Sequence, residues 1–419
     1  MTDGPFAESR EVIGGYWMIQ VNSKEEAIEW AKRCPASDNE VIEIRQVQEF
    51  ADFPADVQDA GQVFAISRRG LDALAPARHD RLLAHMPRRI KTTTVGSYPV
   101  PSWMIGCSSR PVIRDAVTVV LKAQELAGID LLTDGELLRF DPSNPESNGM
   151  VDYFVARMGG LRKEFSVSDA DRFGAGRAQG YNLLSPATVT APIDEGTLNL
   201  PRDFEFVRPL TRSPLKFTCT GPHMLARVLT NCFYNDIADL AMAIAGVLRR
   251  QLELIEADVI QLDEASIVGY PEDAAWAAEA VNCALDGVLN EKAVHICFGN
   301  YGGQPMLRGF WRDLLPFLNA LHADHLVLEF ARRGFHELEV FRDLDCRIGL
   351  GIGVVDIKDN EVESPELIAS RIEQVIQTVG EDRLHYIHPD CGFWMLQRSV
   401  VDRKMRALVE GRDLFEGQL

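Results

Sequence analysis

From Lys91 onward the chain alternates short apolar words with longer amphipathic ones, about eight times over. The apolar words are KTTTVGSYP, IDLLTDGE, LKFTCTGP, DVIQLDEAS, AVHICFGN, HLVLEF, RIGLGIGVVDI and LHYIHPDCG. Most carry a run of aliphatic residues and end on polar ones, as strands buried on both faces do. Between them lie stretches with helical periodicity, among them Pro111–Ala127, Ala238–Ala257 and Pro365–Val379. The first of these opens with proline, which suits the first helical position. Parallel strands need a crossover, and a helix supplies it. The pattern therefore predicts an α/β fold, a (β/α)8 barrel over residues 91–419. Residues 160–212 interrupt it with SPATVTAPIDEGTLNL, read as a hairpin or lid over one mouth.

The first 62 residues have a different texture, that of a small α+β module. GGYWMIQV fits a strand, and SKEEAIEWAKRCP opens with the capping-box spacing of Ser23 and Glu26. Ala27, Trp30, Ala31 and Cys34 fall on one helical face before Pro35 stops the helix. NEVIEIRQVQEF then alternates as a half-buried strand does. From about residue 52 to 89 proline, alanine and charge mix, a connector with one or two short helices; the linker is set at 63–90.

Charge narrows the function. Against 43 basic residues stand 62 acidic ones, a net −19, which repels nucleic-acid backbones and anionic lipid. No apolar run approaches the roughly 18 residues of a membrane span, and MTDGPFAESREV lacks a signal-peptide pattern. Eight cysteines scattered over 419 residues do not form a secreted disulfide framework. The expectation is a cytoplasmic protein whose thiols are free to act as ligands.

In such barrels chemistry gathers at the C-terminal strand ends. The polar residues there are Ser97, Asp134, Glu136, Asp263, Glu264, His295, Cys297, Glu329, Asp356, Asp390 and Cys391. His295 and Cys297 stand at i and i+2 on one strand, so both face the same way. With Cys391 and Glu329 from later strand ends they offer one nitrogen, two sulfurs and one oxygen, a set that suits Zn2+. Two thiolates and a carboxylate leave such an ion little positive charge, poor for activating water but good for holding a thiol as thiolate. His322 and His325, near Glu329, could assist. The other cysteines read as small core residues.

Two resemblances follow. DGPFAESREVIGGYWMIQV, EEAIEWAKRCP and IEIRQVQEF, over residues 3 to about 50, resemble the second half of a YCII-related (DGPF) ferredoxin-like domain. Members of that family commonly pair, which implies a dimerisation element; Asp3, Gly4 and Pro5 read as a turn. TTTVGSYP, LLTDGELLRFD, TGPHML, VIQLDEAS, VHICFGNYGG, LVLEFA, GLGIGVVDIKDNEVESPE and HPDCGF resemble the catalytic barrel of cobalamin-independent methionine synthases and their shorter relatives. This resemblance implies a methyltransferase in which His295, Cys297, Glu329 and Cys391 bind zinc and Ser97, Glu136 and Asp263 hold homocysteine.

Three departures bear on the chemistry. The long synthases have an extra N-terminal barrel that helps hold the folate. Its place here is taken by the YCII-like segment, so the methyl donor is a folate, a methylcorrinoid or another methylated compound. Where they read DIHSP this chain reads DIKDNEVESP, which leaves Asp356 or Lys358 as the proton source. The usual DEP is Asp263-Glu264-Ala265. The short relatives include enzymes that add coenzyme M to epoxides, an alternative that zinc ligation cannot separate. Carboxylates at Glu136 and Asp263 suit an ammonium, whereas a sulfonate would seek a base such as Arg139, otherwise a solvated surface residue. An alternative of another class is a non-catalytic regulatory protein built on a degenerate barrel.

Overall fold

The computed structural model describes residues 21, 23–32, 89–107, 109–144, 148–163, 187–299, 307 and 309–417. The chain divides into two compact units, Met1–Pro87 and Arg88–Leu419.

In the first unit the described element is the helix Lys24–Ala31. The Ser23 hydroxyl accepts the Glu26 N–H at 3.2 Å, and Glu25 and Glu26 sit favourably at the positive end of the helix dipole. Ala27 is buried but Trp30 is half exposed, so the expected apolar face is only partly covered. The expected flanking strands and the connector, with Cys34 and Pro35, lie almost wholly outside the described residues.

Among the described residues the second unit contains ten strands: β1 Lys91–Thr92, β2 Gly159–Arg162, β3 Thr188–Asp194, β4 Lys216–Thr220, β5 Thr230–Asn231, β6 Val259–Asp263, β7 Glu291–Ile296, β8 His325–Leu328, β9 Gly349–Val355 and β10 Leu384–Pro389. Seven form one parallel sheet in the order β1-β10-β9-β8-β7-β6-β4. A single short segment closes it into a ring: Leu131 bridges to Thr93 beside β1, and Leu132 bridges to Leu215 beside β4. The apolar word IDLLTDGE thus supplies the eighth strand, reduced to two bridging residues, and the (β/α)8 barrel is complete.

Helices cover the outside because each strand word is followed by an amphipathic one. Arg110–Ala127 carries proline in its first turn and stops at Gly128, whose φ of 83° is the left-handed conformation of a helix C-cap. Pro365–Val379 matches its predicted span. Ile237–Leu252 is capped by Asp236 and buries Leu240, Ile244 and Leu248, each worth about 1.5–3 kcal/mol. It ends five residues before the predicted Ala257, because the chain needs that stretch to turn back into β6. Within the interrupting segment, β2 pairs antiparallel with β3, which pairs in turn with β5, a side sheet that answers the expected hairpin.

The strands run in near register. Thr220 pairs with Asp263, Asp263 with His295, and His295 with Val327. Their C-terminal ends therefore reach the same level, which gathers the polar strand-end residues at one mouth. A compact apolar layer of Val95, Leu131, Val259, Ala293, Val327 and Tyr386 fills the barrel.

Candidate metal centre

His295 is the penultimate residue of β7, with its side chain buried, and Cys297 follows two residues on, likewise buried. Cys391 comes just after β10. Its Sγ lies 3.7 Å from His295 Nε2 and 3.7 Å from Cys297 Sγ, and the three donor atoms lie within 4.8 Å of one another. Donors around a tetrahedral zinc stand about 3.8 Å apart for two sulfurs and about 3.6 Å for sulfur and nitrogen. The spacing fits the ion. His295 Nδ1 donates to the Val327 carbonyl at 3.0 Å, which leaves Nε2 as the lone-pair nitrogen facing the cysteines. The Cys391 thiol is pushed well above its ordinary value by its hydrogen bond with Cys297 and by burial. Burial works against the protonated form of His295, but Cys391 and Asp263 outweigh it and raise its pKa.

Asp390 positions this end of the barrel. Its carboxylate accepts the N–H groups of Phe330, Ala331 and Arg332 at 2.9, 2.8 and 2.7 Å. It thereby ties the residue before Cys391 to the loop that follows Glu329.

Glu329 itself is not in the three-donor group. Its Oε1 is held by Lys358 Nζ, and its Oε2 accepts the Phe298 N–H at 3.0 Å. Lys358 is lifted above its usual range: burial opposes its charge, but Glu329, Cys297 and Asp390 outweigh burial. Asp356 accepts the Lys358 N–H at 2.8 Å and pairs with Arg332 at 3.1 Å.

The residues expected to hold an amino acid form a connected wall. Thr218 Oγ1 donates to Glu136 Oε1 at 2.8 Å, and Gln261 Nε2 donates to Asp263 Oδ1 at 2.7 Å. Burial, with Glu136 nearby, pushes the Asp263 carboxyl up to about 6 against the opposing pull of His295. Two glycines make room here. A Cβ on Gly96 would meet Glu136 Oε1 at 2.2 Å, and one on Gly392 would meet Ser97 Oγ at 2.0 Å. Ser97 thus lies against the residue after Cys391. Glu136 adopts φ 59°, strained for a non-glycine residue, in a turn where its N–H donates to Asp134 Oδ1 at 2.8 Å.

Other strand-end residues serve the scaffold. Glu264 accepts the N–H groups of His223 and Met224 at 2.9 and 2.8 Å, capping the helix Pro222–Val228. His325 starts β8, at the other end of the barrel from the cysteines, and so plays no part in the mouth. The His322 N–H donates to Asn282 Oδ1 at 2.7 Å in the preceding loop.

Arg139 differs from the solvated surface base that the sequence suggests. It is buried rather than solvated, donates to the Thr218 carbonyl and lies 3.5 Å from Glu136. Its position three residues beyond Glu136 in a one-turn 3-10 helix carries it inward, a geometry that LLTDGELLRFD does not advertise. Also unforeseen is buried His223, which bridges Ser266 Oγ at 3.1 Å and Asp273 Oδ2 at 2.9 Å.

Comparison with known proteins agrees with this architecture. Residues 90–412 match the family model described as the cobalamin-independent synthase catalytic domain, and residues 1–51 match the YCII-related domain. A methionine synthase of Thermococcus kodakarensis is 30% identical over 346 residues, covering 79% of this chain and 94% of that protein. One of Sulfurisphaera tokodaii is 28% identical over 351 residues, with the same coverage of 79% and 94%. Among solved structures, a B12-independent methionine synthase from a Shewanella species superposes with a TM-score of 0.66 at 24% identity. That match covers 78% of this chain and 98% of that one. No helix among the described residues is long and apolar enough to cross a membrane.

Proposed function

Because the chain belongs to the cobalamin-independent synthase family through its catalytic domain, we propose that it transfers a methyl group to the sulfur of homocysteine, making methionine with zinc as resident metal. The carrying observation is the convergence of His295 Nε2, Cys297 Sγ and Cys391 Sγ at spacings that fit a tetrahedral ion. These three residues would hold zinc, which when bound supplies the positive charge that keeps an incoming sulfur ionised and nucleophilic at neutral pH.

The remaining duties fall to the chain. Glu136 and Asp263 receive the α-ammonium group, and Ser97 orients the amino acid beside Cys391. An arriving ammonium favours the ionised form of Asp263 further, because opposite charge counteracts the burial that raised its pKa. The thiol proton leaves to solvent, and Asp356 or Lys358 supplies one to the leaving group. As the carbon–sulfur bond forms, the bond from the methyl carbon to its carrier breaks. The carrier is a folate, a methylcorrinoid or another methylated compound.

A second reading has one observation in its favour. Among the described residues Arg139 Nη1 is buried without a hydrogen-bond partner, and an anionic tail such as the sulfonate of coenzyme M would satisfy it. That reading makes the reaction an epoxide opening by a thiol. The charge balance argues for the amino acid, since Arg139 already faces Glu136 at 3.5 Å. We also read the N-terminal module, residues 1–62 followed by a linker at 63–90, as a dimerisation element in a cytoplasmic enzyme. Sedimentation of the full chain at two concentrations tests the pairing.

The deciding experiment offers zinc-loaded protein a matrix of thiols against methyl donors and epoxides. Methionine formation from homocysteine, abolished in Cys391→Ser, is the expected result. Turnover of coenzyme M with epoxides alone selects the second reading. No turnover with any pair, and no proton release on adding homocysteine, would leave a binding protein instead.

A further inference from the structure

The loop that follows β9 runs from Asp356 to Glu363 and closes on itself. Glu363 reaches back seven residues, where its Oε1 accepts the Asp356 N–H at 2.7 Å. Its Oε2 accepts from Lys404 Nζ at 2.9 Å, and that amine also donates to the Glu361 carbonyl. Lys404 belongs to the C-terminal helix Arg398–Phe415 and is shut off from solvent, at 0% exposure; Glu363 is buried too. Arg371 frames the same carboxylate at 3.5 Å and donates to the Val354 carbonyl at 2.6 Å, just before the loop. A buried ion pair strips two charges of water and rarely repays that loss in net stability. The side-chain bonds that this pair makes to backbone groups both end on this one loop. The same helix reaches a second loop of the mouth. Asp402, two residues before Lys404, accepts from the Tyr98 hydroxyl at 2.5 Å, next to Ser97.

We propose that Glu363, carried on Lys404, is a positioning residue for proton delivery, fixing the backbone from which the leaving group of the methyl donor is protonated. This rests on the reading of the loop with Asp356 and Lys358 as the proton source in a thiol methyl transfer. As sulfur bonds to the methyl carbon, the carbon–nitrogen bond of a donor such as methyltetrahydrofolate breaks. Its electron pair stays on nitrogen, and that nitrogen takes the proton. The proton must be close and aimed at that moment, and a misplacement of about 1 Å can cost about a hundredfold in rate. Asp356 Oδ1 accepts the Lys358 N–H at 2.8 Å, so fixing one backbone group sets both candidate donors. Tyr98 and Asp402 do the same for Ser97 on the substrate side. The C-terminal helix thereby serves turnover through one contact and binding through another.

The test gives the zinc-loaded full chain homocysteine and two methyl donors that differ in their leaving group. Methyltetrahydrofolate leaves as a basic nitrogen that needs a proton; methyl iodide leaves as iodide, which needs none. Glu363→Leu removes the acceptor for the Asp356 N–H. Its kcat with methyltetrahydrofolate should fall about 30- to 100-fold, while alkylation by methyl iodide stays within about twofold of wild type. Its KM for homocysteine should stay within about threefold. Glu363→Gln keeps an acceptor oxygen and should lose less than about tenfold. Tyr98→Phe should do the reverse, raising the KM for homocysteine about three- to tenfold with kcat little changed. A readout apart from turnover is amide hydrogen exchange in metal-free Glu363→Leu. It should quicken about tenfold or more at residues 356–363 and stay unchanged at 97–98.

Equal losses with both donors, or no loss with either, would overturn the proposal and leave the ion pair a structural one. So would a wild type that takes methyl only from methylcobalamin or methyl iodide, whose leaving groups depart unprotonated. Should Glu363→Leu fail to fold, Lys404→Met decides. It cuts the tie to the C-terminal helix and should show the same donor-selective loss, at about tenfold; an equal loss with both donors overturns the proposal. A wild type that holds no zinc, or methylates homocysteine no faster than the free thiol reacts in solution, marks a failure of the functional reading itself, seen before any variant is made.

Discussion

The two ends of the barrel interior are both polar, but their polar groups are satisfied in different ways. At the strand starts the cluster is held by charge pairing and ring stacking. His325 Nδ1 lies 2.9 Å from Glu291 Oε1, Tyr386 donates to Glu291 Oε2 at 3.0 Å, and the His325 ring stacks on Tyr386 with centroids 4.5 Å apart. Burial would raise Glu291, yet His325, Tyr386 and Lys91 together pull its carboxyl down to about 2. At the strand ends His295, Cys297 and Cys391 have mainly one another, two thiols and an imidazole nitrogen at 3.7 Å. Thiols are weak hydrogen-bonding groups, so this cluster is poorly satisfied without a cation. Buried polarity alone therefore does not mark a site. Donors that converge while lacking adequate partners do.

Substitutions at the two ends should separate these roles. The largest effect is expected from Cys391→Ser, which should weaken zinc by more than about a hundredfold in chelator competition. Glu291→Gln at the other end should lower melting temperature and leave zinc affinity within about twofold. Equal zinc losses from the two would erase the distinction.

Lys216 opens β4, level with Val259 and Glu291 in the strand register, with its Nζ buried and, among the described residues, without a hydrogen-bond partner. Burial pulls its pKa down to about 7, while Asp263, Glu136 and Glu291 resist that shift. A lysine lowered from 10.5 to about 7 costs the fold nothing while neutral in both states, and its penalty grows as pH falls from 10.5 toward 7. Lys216→Met should stabilise the protein at pH 7 by a few kcal/mol, on the order expected from such a shift. It should also flatten the rise of stability between pH 7 and pH 10, measured by denaturant unfolding. An unchanged pH profile would mean that Lys216 is solvated.

Smaller effects test the substrate wall. Asp263→Asn should raise the KM for homocysteine about 10- to 100-fold, the cost of one charge-assisted hydrogen bond, with zinc content intact. Gly96→Ala should displace Glu136, because its new Cβ would meet Oε1 at 2.2 Å. A rise in KM of about tenfold is expected, with a change in melting temperature of only a few degrees. The smallest effect should come from Tyr386→Phe, which removes the hydroxyl that donates to Glu291 and accepts from Lys91 Nζ at 3.5 Å at the strand starts. It should cost about 1 kcal/mol of stability and nothing in zinc affinity.

Much of this was legible because it is local. Strand words with helices between them predict a barrel through chain periodicity. The spacing of His295 and Cys297 puts both on one face whatever lies opposite. Pro111 and Pro365 start helices for reasons internal to one turn of backbone. Less legible was any position whose meaning depends on a neighbour far along the chain. IDLLTDGE reads as a full strand, yet pairs through only two bridging residues, because its extent depends on β1 and β4. Arg139 reads as a surface base and is buried, since the Thr218 carbonyl that receives it is 79 residues away.

By itself the sequence determined the repeating units, the level at which their polar ends gather, and the candidate donors His295, Cys297, Glu329 and Cys391. Only the tertiary structure decided how Glu329 and Lys358 are used. As letters they are a candidate ligand and a candidate acid; in the fold they are each other's counter-ion. A charge buried in a barrel takes its partner from whichever side chain comes within reach, and reach is set by packing among strands that the chain visits 29 residues apart.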